Sequence, residues 1–150
     1  MVTLMHIQGS YRLNAPIKKA WDFVSNPENI GNCLPGLEHL EVKDPENFNV
    51  TVKVGISFVH GSFKFTFKLL NQTPPSHSKF EAIGKGAGVS VKLNATMHLL
   101  DLGNNATQLN WQADADLGGL LTELSPSLIQ NSADKFTKDF FDCLKRKVES

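Results

Sequence analysis

Apolar and polar residues alternate one by one through most of this chain, and only two regions step by three or four instead. The first alternating run extends from about Leu4 to Leu13, with Ile7, Gly9, Tyr11 and Leu13 on one side, as in a strand. Ile17, Ala20, Trp21 and Val24 then recur at i, i+3, i+4 and i+7, which predicts a short amphipathic helix. Pro16 suits its first turn, where a missing N–H costs nothing. Asn26 before Pro27 caps a second, shorter helix through Ile30, and Leu34-Pro35-Gly36 turns the chain.

Alternation then resumes. Glu38 to Lys43 and Phe48 to Val54 read as a hairpin across Asp44-Pro45-Glu46-Asn47. Phe63, Phe65, Phe67 and Leu69 form the next row, which Pro74-Pro75 breaks. Phe80 to Gly84 leads into a glycine-rich segment, followed by Val89, Val91, Leu93, Ala95, Met97 and Leu99 in one phase. After a turn at Gly103-Asn104-Asn105, the phase is carried by Leu109, Trp111, Ala113, Ala115 and Leu117. Such strands predict one antiparallel sheet, about seven strands wide, with a wet face and a dry face.

The period changes for good at Ser125-Pro126, an N-cap followed by a first-turn proline. Ile129, Ala133, Phe136, Phe140, Leu144 and Val148 make an apolar stripe on a long helix. Asp134/Lys138 and Asp142/Arg146 are placed to pair at i, i+4 on its polar side. A helix with one dry face needs a dry surface to lie on, and the inward face of the sheet is the only one large enough. The pattern therefore predicts an α+β fold: one domain, 1–150, with a curved seven-stranded sheet gripping a long C-terminal helix and two short helices after the first strand.

Composition narrows the function classes. Fifteen basic and fifteen acidic residues cancel, which argues against a nucleic-acid footprint and against long-range attraction to an anionic membrane. Lys145-Arg146-Lys147 reads as favourable cations in a last helical turn. No stretch approaches the roughly twenty apolar residues that cross a bilayer, and the start does not resemble a signal peptide. The expected location is the cytoplasm, with at most peripheral contact at the inner membrane face. Cys33 and Cys143 are too few for a disulfide framework; the two could approach each other, but small buried hydrophobes are the expected reading.

The inward positions of the strands are Phe, Val, Leu, Ala, Met, Trp and the single Tyr. No titratable acid or base shares their phase, so general acid–base work lacks its tools and no catalytic residue is expected. His6, His39, His60, His77 and His98 are scattered singly, without the close spacing of a zinc site, and no metal is expected. Gly84-x-Gly86-x-Gly88 precedes a strand rather than a helix, which excludes a phosphate cradle.

Ala82, Gly84, Ala95, Ala113 and Ala115 are small residues on the dry face. Either Phe136 and Phe140 fill the space above them, or a pocket for an apolar ligand remains. Its walls would be Tyr11, Phe63, Phe65, Phe67, Trp111, Ala113, Leu120, Leu124, Leu128 and Phe136. The run from Gly118-Gly119 to Pro126 reads either as a hinged gate or as a loop whose leucines complete the core.

Several of these segments carry a resemblance. Trp21 in the first helix, Asn26-Pro27-Glu28, Cys33-Leu34-Pro35-Gly36, Gly84-Lys85-Gly86-Ala87-Gly88, Gly118-Gly119 and Phe140-Phe141 resemble, in that order, the CoxG family of carbon monoxide dehydrogenase. That family lies in the START-like, SRPBCC helix-grip superfamily (the Bet v 1-like fold). The resemblance implies the pocket over the filled interior, holding an isoprenoid quinone such as menaquinone or a similar lipid, with no tightly bound cofactor. It further implies a molybdenum hydroxylase as partner, linked to the membrane quinone pool, with Tyr11 available to hydrogen-bond a quinone oxygen. Some relatives are expected to carry a C-terminal membrane attachment; this chain stops at Ser150, which puts direct anchoring in doubt. Two alternatives stand beside the carrier: a ligand-free assembly factor for such a hydroxylase, and an enzyme, as some START-like relatives are.

Overall fold

The computed structural model describes residues 3–150. Strand β1 (Thr3–Leu13) leads into helices α1 (Ile17–Val24) and α2 (Pro27–Asn32). Six strands follow: β2 (Leu37–Asp44), β3 (Asn47–Ile56), β4 (Val59–Thr73), β5 (His77–Gly86), β6 (Val89–Gly103) and β7 (Ala106–Gly119). A single 3-10 turn (Leu120–Glu123) joins β7 to the long helix α3 (Pro126–Glu149). All pairings are antiparallel, in the order β1-β7-β6-β5-β4-β3-β2, so the first strand closes onto the last.

Local chemistry explains the element ends. The Asn26 side chain accepts from the Glu28 N–H at 3.0 Å, and the Ser125 hydroxyl accepts from Leu128 N–H at 3.2 Å. Each capping residue is followed by a proline in the first turn, as expected of a helix start. The Gly36 carbonyl accepts from Lys53 N–H, which fixes the turn from α2 into the β2–β3 hairpin. Alternation along the strands matches the observed burial: Phe48, Val50 and Val52 of β3, and Phe63, Phe67 and Leu69 of β4, face the core.

The core lies between the concave sheet and the helices. Ala20, Trp21 and Val24 of α1 and Ile30 of α2 join it at one end. The buried residues of α3 are Phe140, Phe141, Leu144 and Val148, all in its C-terminal half. The space beside Gly84 is taken up within the sheet itself: a Cβ there would collide with the rings of Phe63 and Phe65. Small residues on β5 thus accommodate aromatic rings from β4, as close packing demands.

Two expectations need correction. Cys33 and Cys143 are not separate small hydrophobes; they form a disulfide, with Cα atoms 5.6 Å apart and 110 residues between them in sequence. The ion pairs on α3 also differ. Lys138 bonds Asp142, and Lys135 bonds Asp139, so the basic residue comes first in each pair. Asp134 instead accepts from Gln130 at 2.8 Å.

Candidate functional site

The concave face is built from alternate residues of neighbouring strands, so register decides what meets what. Gly9 pairs with Trp111, Tyr11 with Leu109, and Ile7 with Ala113. The missing side chain at Gly9 lets the Trp111 indole lie across β1: a Cβ would sit 2.8 Å from Trp111 Nε1. The indole stacks on Phe141 of α3 at a centroid distance of 5.1 Å, and Tyr11 stacks on the same ring at 4.8 Å. This three-ring cluster clamps the C-terminal half of α3 to β1 and β7.

One polar atom in this greasy setting stands out. Trp111 Nε1 is buried and has no hydrogen-bond partner among the described residues. A buried N–H without an acceptor costs about 1–3 kcal/mol relative to a satisfied one. Tyr11 lies within the same cluster, and burial holds its phenol above the ordinary value of 10.0, with Asp142 pushing the same way and Lys138 opposing. At neutral pH its hydroxyl is therefore a protonated donor.

The ten wall residues expected from sequence do not all come together. Phe63, Phe65 and Phe67 form one row, with ring centroids 4.7 and 5.6 Å apart. Phe63, Phe67, Ala113 and Leu124 are buried, while Tyr11, Phe65, Trp111 and Leu128 are half-buried. Leu120 and Phe136 stand at the surface, 36% and 41% exposed, rather than inside. Leu120 instead meets the β5–β6 turn, where its N–H donates to the Gly88 carbonyl at 2.9 Å. None of residues 126–139 of α3 is fully buried, and Ile7, Val91, Leu93 and Phe65 on the facing sheet are only half-buried.

One enclosed space lies elsewhere. A void of about 10 Å³ sits beneath α1 and α2, against Val24, Ile30, Phe48, Phe67 and Met97, with room for one water. A broad groove of about 580 Å³ runs along the outer face past Gln8, Ser10, Thr96, His98, Asn110 and Gln112. Sequence reasoning missed both, since neither follows from strand parity.

It also missed two histidine contacts, because cross-strand register is invisible to linear spacing. His6 Nδ1 lies 2.7 Å from Asp114 Oδ1, and this bond raises the imidazole pKa above its ordinary 6.5. His77 and His98 meet across β5 and β6, ring nitrogen to ring nitrogen, at 2.9 Å. His60 is exposed at the β3–β4 end of the sheet. Among the described residues, no group of three or more His, Cys, Asp or Glu side chains is placed to hold a metal ion.

The family model for CoxG, the G subunit of carbon monoxide dehydrogenase, matches residues 9–149. The chain belongs to the CoxG family. Comparison with curated proteins gives no match. Among solved structures, a conserved protein from Geobacillus kaustophilus superposes with a TM-score of 0.88 at 22% identity, covering 96% of this chain and 95% of that one. A START superfamily protein from Mycobacterium smegmatis gives 0.73 at 16% identity, covering 96% and 97%. An aromatase/cyclase from a Streptomyces species gives 0.69 at 12% identity, covering 98% and 94%. At these identities the likeness is one of fold: the CoxG chain has the START-like helix-grip architecture. Proteins of that fold include an enzyme, the aromatase/cyclase.

Proposed function

We propose that this CoxG-family chain is a non-catalytic carrier that holds an isoprenoid quinone, such as menaquinone, or a related lipid between its sheet and the N-terminal half of α3. The carrying observation is the unpartnered indole N–H of Trp111, whose ring stacks on Phe141 as Tyr11 does. A ligand with a carbonyl oxygen would satisfy that donor, and an isoprenoid tail would cover the half-buried faces of Ile7, Leu93 and Leu128. Each buried CH₂ contributes about 0.8 kcal/mol, so affinity comes from the tail and orientation from the headgroup. The titratable groups nearest the cluster of Tyr11, Trp111 and Phe141 are Asp142 and Lys138, both exposed on α3 rather than inside it. The family membership supports a molybdenum-dependent carbon monoxide dehydrogenase-type hydroxylase as partner, with the quinone linking it to the membrane pool.

Trp111→Phe tests this reading, because it keeps an aromatic ring, though a smaller one, and removes the donor. Titration with a short-chain menaquinone should show at least a tenfold loss of affinity, with the fold intact by circular dichroism. Unchanged affinity would overturn the assignment of Trp111.

A second reading is a ligand-free assembly factor for the same hydroxylase, for which the 10 Å³ void beneath α1 and α2, too small for a lipid, gives some support. Ala113→Phe separates the two. The carrier loses its ligand and its function together, whereas an assembly factor keeps hydroxylase binding.

A further inference from the structure

The disulfide occupies a revealing place. Cys33 is the C-cap residue of α2 and is buried; α2 in turn packs on β2 and β3, where Gly31 fits against Leu40. Cys143 is half-buried on α3, between Phe141 and Leu144. On its opposite flank, α3 is held by Phe141 against Tyr11 and Trp111 of β1 and β7. The helix is therefore tied on two sides at its C-terminal half: by stacking on the β1 side and by a covalent bond on the α2 side.

Phe140, Leu144 and Val148 also bury themselves in the core from that half, while the N-terminal half packs on it through the half-buried Leu128 and Ile129. Glu149 accepts from Asn14 N–H at 2.8 Å, and the Lys145 ammonium donates to the Arg12 carbonyl at 2.9 Å, both at the surface. Residues 126–139 contribute no fully buried side chain. With the disulfide cut, the packed C-terminal half around Phe140, Phe141, Leu144 and Val148 remains as the pivot, and the N-terminal half keeps the lighter contacts of Leu128 and Ile129.

We propose that the Cys33–Cys143 disulfide is a redox latch on α3, whose reduction frees the N-terminal half of the helix to lift from the sheet. The inference rests on the carrier reading for its purpose, since the ligand would lie under that half, but the motion itself does not depend on a ligand. The reductant is a dithiol. One of its thiolates attacks Sγ of Cys143, the more accessible partner, and Cys33 leaves as a thiolate that takes up a proton. The second thiol of the reductant then attacks the mixed disulfide and releases Cys143, which is protonated in turn. Two electrons and two protons pass to the protein, and the reductant ends as its own disulfide. Such a latch would be closed in oxidising surroundings and open in reducing ones.

Hydrogen–deuterium exchange, read by mass spectrometry, tests the motion with no ligand present. Oxidised protein, protein reduced with dithiothreitol, and a Cys143→Ser variant are compared. Amides of residues 126–139 should exchange at least tenfold faster in the last two, while strands β6 and β7 keep their protection. Unchanged exchange in α3 would overturn the latch. So would loss of protection across the whole sheet, which would make the bond a staple of the fold. Uptake of cis-parinaric acid, a fluorescent apolar probe, should be at least fivefold faster in the reduced protein. Faster exchange in α3 with no uptake by either form would uphold the latch and count against the carrier reading instead.

Discussion

At the scale of single residues, the account turns on Trp111 and the glycine beneath it. Parity along β7 places Trp111 on the dry face, and parity along β1 does the same for Gly9, so both positions are legible in the sequence. Their pairing is not, because register between the first and last strands depends on how the sheet closes. Nor is the orphaned indole N–H legible, since it reflects which acceptors the folded interior fails to supply. Gly9→Ala places a methyl 2.8 Å from Trp111 Nε1, so the indole must shift off Phe141. Overpacking of this kind costs about 1–3 kcal/mol, and chemical denaturation should report a loss in that range. Trp111→Phe should change the stability of ligand-free protein by less than about 1 kcal/mol, because the smaller ring's lost contacts are offset by removal of an unsatisfied donor. A stability loss as large as that of a core truncation would mean that the N–H has an acceptor after all.

At the scale of elements, the helices and strands follow their sequence periods closely, while helix α3 shows where periodicity runs out. Its apolar stripe predicts burial at Ile129, Ala133, Phe136, Phe140, Leu144 and Val148 alike. Only the last three are buried, and Phe141, outside the stripe, is buried with them. A stripe records which face is apolar, not how far a curved sheet stays in contact with a straight helix. Leu144→Ala should therefore destabilise by about 2–5 kcal/mol, whereas Phe136→Ala should stay within about 0.5 kcal/mol; thermal unfolding of the two variants measures the contrast. Acid should also loosen this end. Hydrogen bonds from Lys145 and from Asn14 N–H hold the Glu149 carboxyl below its ordinary 4.5. A depressed carboxylate stabilises above its unfolded pKa and loses that contribution as pH falls through the folded value. Wild type should thus lose more stability than Glu149→Gln between neutral pH and about pH 4, by no more than about 1 kcal/mol given the exposure of the pair.

At the scale of the whole molecule, the helix-grip architecture is legible because β1, β3, β4 and β7 alternate along most of their length and the terminal helix has nowhere else to lie. Contacts between residues far apart in sequence are not. Cys33 and Cys143 are separated by 110 residues, and nothing in their spacing says that α2 and α3 bring them together. His77 and His98 meet for the same reason, through the register of β5 with β6. The outer groove and the small void beneath α1 and α2 depend on curvature and packing, which no linear pattern records. The ten expected wall residues divide: the six on strands take the face that parity assigns, while of the four beyond the last strand Leu120 and Phe136 emerge at the surface, Leu128 is half-buried and Leu124 is buried. The central claim, that this chain shelters an apolar cargo under α3, is tested most directly by mass spectrometry of an organic extract from natively purified protein. The account predicts an isoprenoid quinone or related lipid near one molecule per chain, absent from Ala113→Phe purified in parallel. Repeated extracts free of lipid, or equal amounts from both proteins, would contradict it.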